Sequence, residues 1–313
     1  VQKIKVFDPA CGSGNFLIIA YKELRQLQHA IIGRIDELMP TGIGVKIPDN
    51  QLININNFYG IEIDDFAHEL AVLSLFLAKH QMNQEFTEQF GKALSIIPLI
   101  DIPTIKQGNA ARLDWQEICP NTGHVVTKAE QEALFDFGEP EQIALVEDEK
   151  VYDEIYLIGN PPYKGSRNQS KSQKSDLASI TDKYKSLDYI AIRFIKGSAY
   201  IKGTRAQLAF VSTNSITQGE QVSLLWPSLL KAVEIGFAHT SFKWTNSARD
   251  NAGVTCVIIN LRNPNKTPKS IIVDNLKTTA QKINPYLTDG SILYLGRRSK
   301  PISSVPTASF GSM

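Results

Sequence analysis

Asp8-Pro9-Ala10-Cys11-Gly12-Ser13-Gly14 sets a carboxylate and two glycines between a strand-like run and a helix-like one. Gly12 and Gly14 permit a tight turn whose backbone approaches a ligand closely, and the N-terminus of the next helix adds a positive dipole end. A dinucleotide site wants a third glycine to cradle a pyrophosphate, but Leu17 occupies that place, and the lysine of a phosphate-binding loop is missing too. What remains suits a ligand with an amino acid moiety and no phosphates. Asp8 can meet an ammonium group while backbone amides face the rest. S-adenosylmethionine fits this description.

Two further motifs extend that chemistry. Tyr59-Gly60-Ile61-Glu62-Ile63-Asp64 ends a second strand on a carboxylate, where the two hydroxyls of a ribose can be accepted. Glu62 is the candidate, with Ile61 and Ile63 as apolar flanks for an adenine ring. Alone, the stretch reads equally as an ordinary strand ending in an N-cap; its pairing with the glycine turn favours the ribose reading. Gly159-Asn160-Pro161-Pro162-Tyr163 follows a later strand. Its prolines lock an extended turn. Asn160 then presents a fixed side-chain carbonyl, the main-chain carbonyl of Pro161 points the same way, and Tyr163 offers an aromatic face. Two acceptors and a ring match a planar exocyclic amine. As that amine attacks a methyl group, its developing positive charge strengthens both hydrogen bonds, and the ring stacks on the base.

These motifs need a scaffold that brings strand ends together. Apolar runs alternate with helical patterns, the signature of a parallel α/β sheet. Strands are expected at 3–7, 57–63, 104–107, 154–159 and 207–212. Helices are expected at 16–38, with Leu17, Ala20, Tyr21, Leu24 and Leu27 at helical spacing, and at 66–79 behind Asp64 and Asp65. Two strand patterns between 237 and 261, split at 243–253, read as an antiparallel hairpin closing the sheet edge.

The 313 residues are 42% hydrophobic and 21% charged, which excludes disordered and collagen-like classes. No apolar run reaches transmembrane length, and no membrane partner is expected. The net charge of +1 excludes a strongly basic nucleic-acid coat while leaving room for a local basic groove. The near-neutral sum hides two opposed stretches. Residues 121–150 carry eight carboxylates against Lys128 and Lys150 and read as a solvated insertion. Residues 164–186 are Ser-rich and basic, with Lys164, Arg167, Lys171, Lys174, Lys183 and Lys185 against Asp176 and Asp182. They read as a mobile loop placed to touch a polyanion. Cys11, Cys119 and Cys256 form no pairing pattern, which fits a reducing, cytoplasmic compartment. The scattered histidines show no ligand spacing, and no metal site is expected.

Asp8–Gly14 followed by Asn160–Tyr163 resembles the amino-group DNA methyltransferases, specifically N6-adenine enzymes whose cofactor motifs precede the catalytic one. Ser241-Phe242-Lys243-Trp244 with Asn251 to Ile259 is similar to the methyltransferase region of bifunctional type II restriction–modification enzymes. There, a nuclease, a methyltransferase and a target-recognition domain share one polypeptide. The resemblance covers about residues 3–261. It implies a class I S-adenosylmethionine-dependent fold: Rossmann-like, with a mostly parallel seven-stranded sheet and an antiparallel edge hairpin. It also implies double-stranded DNA as substrate.

By the same resemblance, Asp8, Pro9, Ala10, Gly12 and Gly14 hold the methionine part of the cofactor, and Glu62 with Ile63 its ribose and adenine side. Asn160, Pro161, Pro162 and Tyr163 hold the target adenine. The family's Gly-Asp turn near the cofactor adenine reads Gly108-Asn109 here, so Asn109 takes that place, with Asp114 a nearby second candidate. Phe242, then Trp244, is expected to close on the flipped base from its other face; core packing is the competing reading for both.

The family's cofactor segment upstream of the first motif is not found in this sequence, and Asp148-Glu149-Lys150 is only the tail of a nuclease signature. The chain is therefore read as a fragment or cut-down product: a catalytic domain at 1–262, holding an acidic insertion at 120–150 and the basic loop at 164–186, then the start of a target-recognition domain at 263–313. A protein glutamine N5-methyltransferase, whose substrate amide offers the same two N–H groups, and an idle DNA- or cofactor-binding module stay open as alternatives.

Overall fold

A computed structural model describes residues 3–38, 52–91, 94, 104–121, 124–126, 149–243 and 255–296. Their centre is a sheet of nine strands: β1 (Lys5–Asp8), β2 (Phe58–Glu62), β3 (Ile105–Gln107), β4 (Ile155–Gly159), β5 (Gln207–Thr213), β6 (Glu234–Lys243), β7 (Thr255–Arg262), β8 (Lys269–Val273) and β9 (Leu276–Ala280). Their order is β9-β8-β6-β7-β5-β4-β1-β2-β3. β3, β2, β1, β4 and β5 run parallel. β7 inserts antiparallel between β5 and β6. The expected edge hairpin is thus present. The sheet has nine strands where seven were expected, because β8 and β9 extend it beyond residue 262, β8 parallel to β6 and β9 antiparallel to β8. A separate antiparallel ribbon pairs 124–126 with 149–151. The acidic residues 127–148 between its strands lie outside the described residues.

Helices cover both faces because the strands are apolar on both faces. On one face, α1 (Asn15–Leu38) buries Leu17, Tyr21 and Ile32. α2 (Asp65–Phe90) packs beside it through Ala71, Leu75, Ala78, Met82 and Phe86, spaced three or four apart. Asp64 caps α2 by accepting from the Ala67 N–H, and Gly91 ends it in the left-handed region at φ 68°. The helix passes the expected end at 79 because Met82 and Phe86 continue its buried stripe. On the other face, Phe7, Leu157, Leu208 and Ile259 of the sheet meet Phe194, Leu225 and Trp226. Those belong to α4 (Ala191–Ile201) and α5 (Gly219–Leu229).

The basic stretch expected as a loop contains a helix, α3 (Lys171–Ala178). A reciprocal capping box nucleates it: the Ser170 side chain accepts from the Gln173 N–H, and the Gln173 side chain accepts from the Ser170 N–H. The flanks are tied down as well. Gln169 donates to the carbonyls of Lys164 and Leu187, at 2.8 and 2.9 Å.

Candidate functional site

The connections leaving β1 and β4 diverge, so a crevice opens beyond the carboxyl ends of these strands. A cavity of about 610 Å³ occupies it. Residues just past four strand ends line it: Pro9 and Ala10 after β1, Glu62 and Ile63 at β2, Gly108 to Ala110 after β3, Asn160 and Pro162 after β4. Lys164, Ser170, Ser172, Gln173 and Asp176 close one side, with Tyr189 and Arg193 beside them.

The glycine turn is built on backbone. Gly12 and Gly14 sit at φ 53° and 86°, and a side chain on Gly14 would press on Ala71 of α2 at 3.2 Å. The Gly12 N–H donates to Glu62 Oε2 at 2.8 Å, while Glu62 Oε1 accepts from the N–H groups of Ile63 and Asp64. Glu62 therefore joins two motifs 50 residues apart and still lines the cavity. Cys11 is buried against Gly60, where an added Cβ would lie 2.9 Å from its sulfur. Burial pushes its thiol pKa up, so it is packing material and no nucleophile.

Asp8 is buried beneath this turn. Its Oδ1 accepts from the Ala10 N–H at 2.9 Å, and Oδ2 finds no partner among the described residues. β4 passes so close that a Cβ on Gly159 would stand 2.5 Å from Asp8 Oδ1, which is why glycine ends that strand. Burial, opposed by the Ala10 hydrogen bond, raises the Asp8 pKa to about 7.

Asn160 follows Gly159, and its Oδ1 is buried without a partner among the described residues. An acceptor so placed at a cavity wall is poised for an N–H donor from a ligand. Pro161 is buried next to it. Tyr163 is half-buried, and its hydroxyl pKa is raised by burial and by the nearby Cys256. Cys256 pairs directly with Phe242 across β7 and β6. Paired residues share a face of the sheet, so Tyr163 and Phe242 both neighbour Cys256. Neither ring lines the cavity; Phe242 packs edge-on against His239 at 5.0 Å. Trp244 lies outside the described residues.

Asn109 lines the cavity with a side chain already engaged. Its Oδ1 accepts from the Ala111 N–H at 2.9 Å, and its Nδ2 donates to Asp176 Oδ2 at 3.1 Å. Asp114 stands apart, capping the single helical turn Trp115–Ile118 through the Gln116 N–H.

Sequence reasoning passed over the wall made by α3 and α4. Asp176, buried on α3, gathers Arg112 Nε at 2.8 Å, Asn109 Nδ2 at 3.1 Å and the Tyr189 hydroxyl at 3.1 Å. Burial alone would raise its pKa, but these donors hold it below the ordinary carboxylate value. The Ser170-x-x-Gln173 capping box was the available signal for α3. Arg193, inside an apolar helical pattern, gave none. Among the described residues no group of three or more His, Cys, Asp or Glu could hold a metal ion, and no helix is long and apolar enough to cross a membrane.

A family model described as the DNA-methyltransferase domain of MmeI matches residues 1–273. "DNA methyltransferase A" of Bacillus subtilis (strain 168) is 44% identical over 319 residues, covering 100% of this chain and 32% of that protein. "Adenine-specific methyltransferase BrxX" of Escherichia coli O9:H4 (strain HS) is 34% identical over 98 residues, 31% of this chain and 7% of that one. The type IIL restriction–modification enzyme MmeI, solved in complex with DNA, superposes with a TM-score of 0.80 at 36% identity, over 97% of this chain and 38% of that chain. The chain thus spans a third or so of the relatives that match it along its whole length.

Proposed function

The chain belongs to the family of MmeI-type DNA-methyltransferase domains, and from that premise we propose that it methylates the exocyclic N6 of an adenine flipped out of double-stranded DNA, with S-adenosylmethionine as donor. The buried, unpartnered Asn160 Oδ1 at the cavity wall carries this reading. Together with the Pro161 carbonyl it accepts both N–H groups of the amine and fixes its lone pair toward the cavity. Those bonds strengthen as the nitrogen becomes positive, so the turn contributes by position and electrostatics. Tyr163 stacks on the extruded base, with Phe242 or Trp244 on the other side.

The groups present fit the cofactor: the Glu62 carboxylate and a wall of Pro9, Ala10 and Ile63 without phosphate ligands line the cavity, and an orphan carboxylate oxygen of Asp8 lies buried next to that lining. When bound, S-adenosylmethionine supplies an electrophilic methyl group on a sulfonium. Asp8, Gly12 and Gly14 serve its amino acid end and Glu62 its ribose, with Asn109 at the purine end and Asp114 in reserve. Lys164 lines the cavity, and the exposed Arg167, Lys171 and Lys174 follow it in the chain, close to the lining residues Ser170, Ser172 and Gln173; all four suit DNA phosphates.

In this reading the protein works in the cytoplasm within a restriction–modification system. Residues 1–262 form its catalytic part, whose sheet β8 and β9 extend to Ala280, and the rest of 263–313 leads into target recognition. Nuclease and recognition domains belong to the same polypeptide in the parent. The same acceptor pair would serve an amide nitrogen of a protein glutamine; membership of a DNA-methyltransferase family is what favours a nucleobase. Asn160→Ala is expected to lower methyl incorporation into DNA at least about 100-fold with cofactor affinity little changed. Retention of the wild-type rate would refute the assignment.

A further inference from the structure

Arg193 projects from α4 into the cavity lining, yet only 5% of the residue is exposed. Its Nε and Nη1 are buried and find no hydrogen-bond partner among the described residues. A buried guanidinium with free N–H groups is costly unless something accepts from it. The plane is nonetheless fixed: it lies over the Tyr189 ring at 5.8 Å, and Tyr189 is anchored by its hydroxyl to Asp176. The guanidinium is thus held in place at the lining of the space beyond strands β1 to β4.

We infer that Arg193 is a cofactor-binding residue that contacts the purine, with Nε and Nη1 donating to its acceptor atoms. This rests on the reading of the cavity as the S-adenosylmethionine site. Three observations select the purine end. Through Tyr189 and Asp176, Arg193 is joined to Asn109 at the β3 end of the crevice, where Gly108 and Ala110 also line the cavity. Asp176 and, more weakly, Asp8 already lie within electrostatic reach of the guanidinium, so a neutral purine nitrogen suits it better than a third carboxylate, and the stronger pull of Asp176 sets it toward the β3 end. Its burial keeps DNA phosphates away. Asn109 is engaged with Ala111 and Asp176, which leaves Arg193 as the residue with free donors at this end.

Calorimetric titration of the chain with S-adenosylmethionine and with 5′-methylthioadenosine, which lacks the amino acid, tests this. Arg193→Met keeps length and removes the donors. Expected is a loss of about 30-fold in affinity for both ligands alike in the folded variant. Wild-type affinity of R193M for both overturns the inference. So does loss confined to S-adenosylmethionine, which would move Arg193 to the amino acid end. If R193M does not fold, Arg193→Lys decides: it keeps the charge without the planar fork, and about a tenfold loss for both ligands is expected, with unchanged affinities overturning the claim. A wild-type chain that binds neither ligand overturns the cofactor reading itself, and this inference with it; intact wild-type binding with an indifferent R193M removes only the role of Arg193.

Discussion

One wall of the cavity is held by backbone amides and the other by side chains. Beyond β1 and β2, Glu62 accepts from the N–H groups of Gly12, Ile63 and Asp64, and Asp8 from that of Ala10. Across the cavity, Asp176 collects Arg112, Asn109 and Tyr189. Backbone donors cannot be mutated away, so the first wall depends on glycine where chains approach closely. The second depends on one buried carboxylate matched to donors from two other segments, and a single substitution can unbalance it.

Asn109→Asp probes that difference most strongly. It would set two carboxylates at the present 3.1 Å amide–carboxylate spacing, and like charges so close cannot both ionise. Urea denaturation should show a loss of about 3 kcal/mol for N109D. The swap N109D/D176N restores an amide–carboxylate pair and should recover at least half of that. Additive losses in the double variant would mean that the two side chains do not act as a unit.

On the backbone-held wall the corresponding effect comes from pH. The Asp8 carboxyl titrates near 7 in the folded chain because of burial, well above its ordinary value of 3.8. Between those two values the folded state holds a proton that the unfolded chain has released. Stability should therefore fall as pH rises from about 4 to 7, then level off. Asp8→Asn removes this slope, so its stability relative to wild type should rise by about 4 kcal/mol between pH 4 and pH 8. Identical slopes for both proteins would show that Asp8 titrates normally.

The same contrast explains what was legible in the sequence. The glycine turn, the strand ending on Glu62 and the Asn160 turn are contiguous motifs, each placing its function within a few residues of a strand end. Local pattern was enough to locate them, and the parallel α/β scaffold followed from the alternation around them. The α3 helix was hidden because eight Ser-rich, basic residues carry no apolar periodicity; Asp176 and Leu177 alone are buried on it. Asp176 gains meaning only from contacts with Asn109 and Arg112, more than 60 residues away, and Tyr189 and Arg193 only through Asp176. β8 and β9 have little signature in the sequence because they follow a Pro- and Asn-rich stretch that reads as a boundary, while β8 takes its register from pairing with β6 and β9 from pairing with β8.

The reading of the site as a base-methylating centre is tested most directly by nucleoside mass spectrometry. DNA is incubated with the wild-type protein and S-adenosylmethionine, then digested. N6-methyldeoxyadenosine as the methylated product, lost in N160A, is expected. A methyl group found on cytosine, or on protein glutamine with none on adenine, would contradict the assignment of the Asn160 turn.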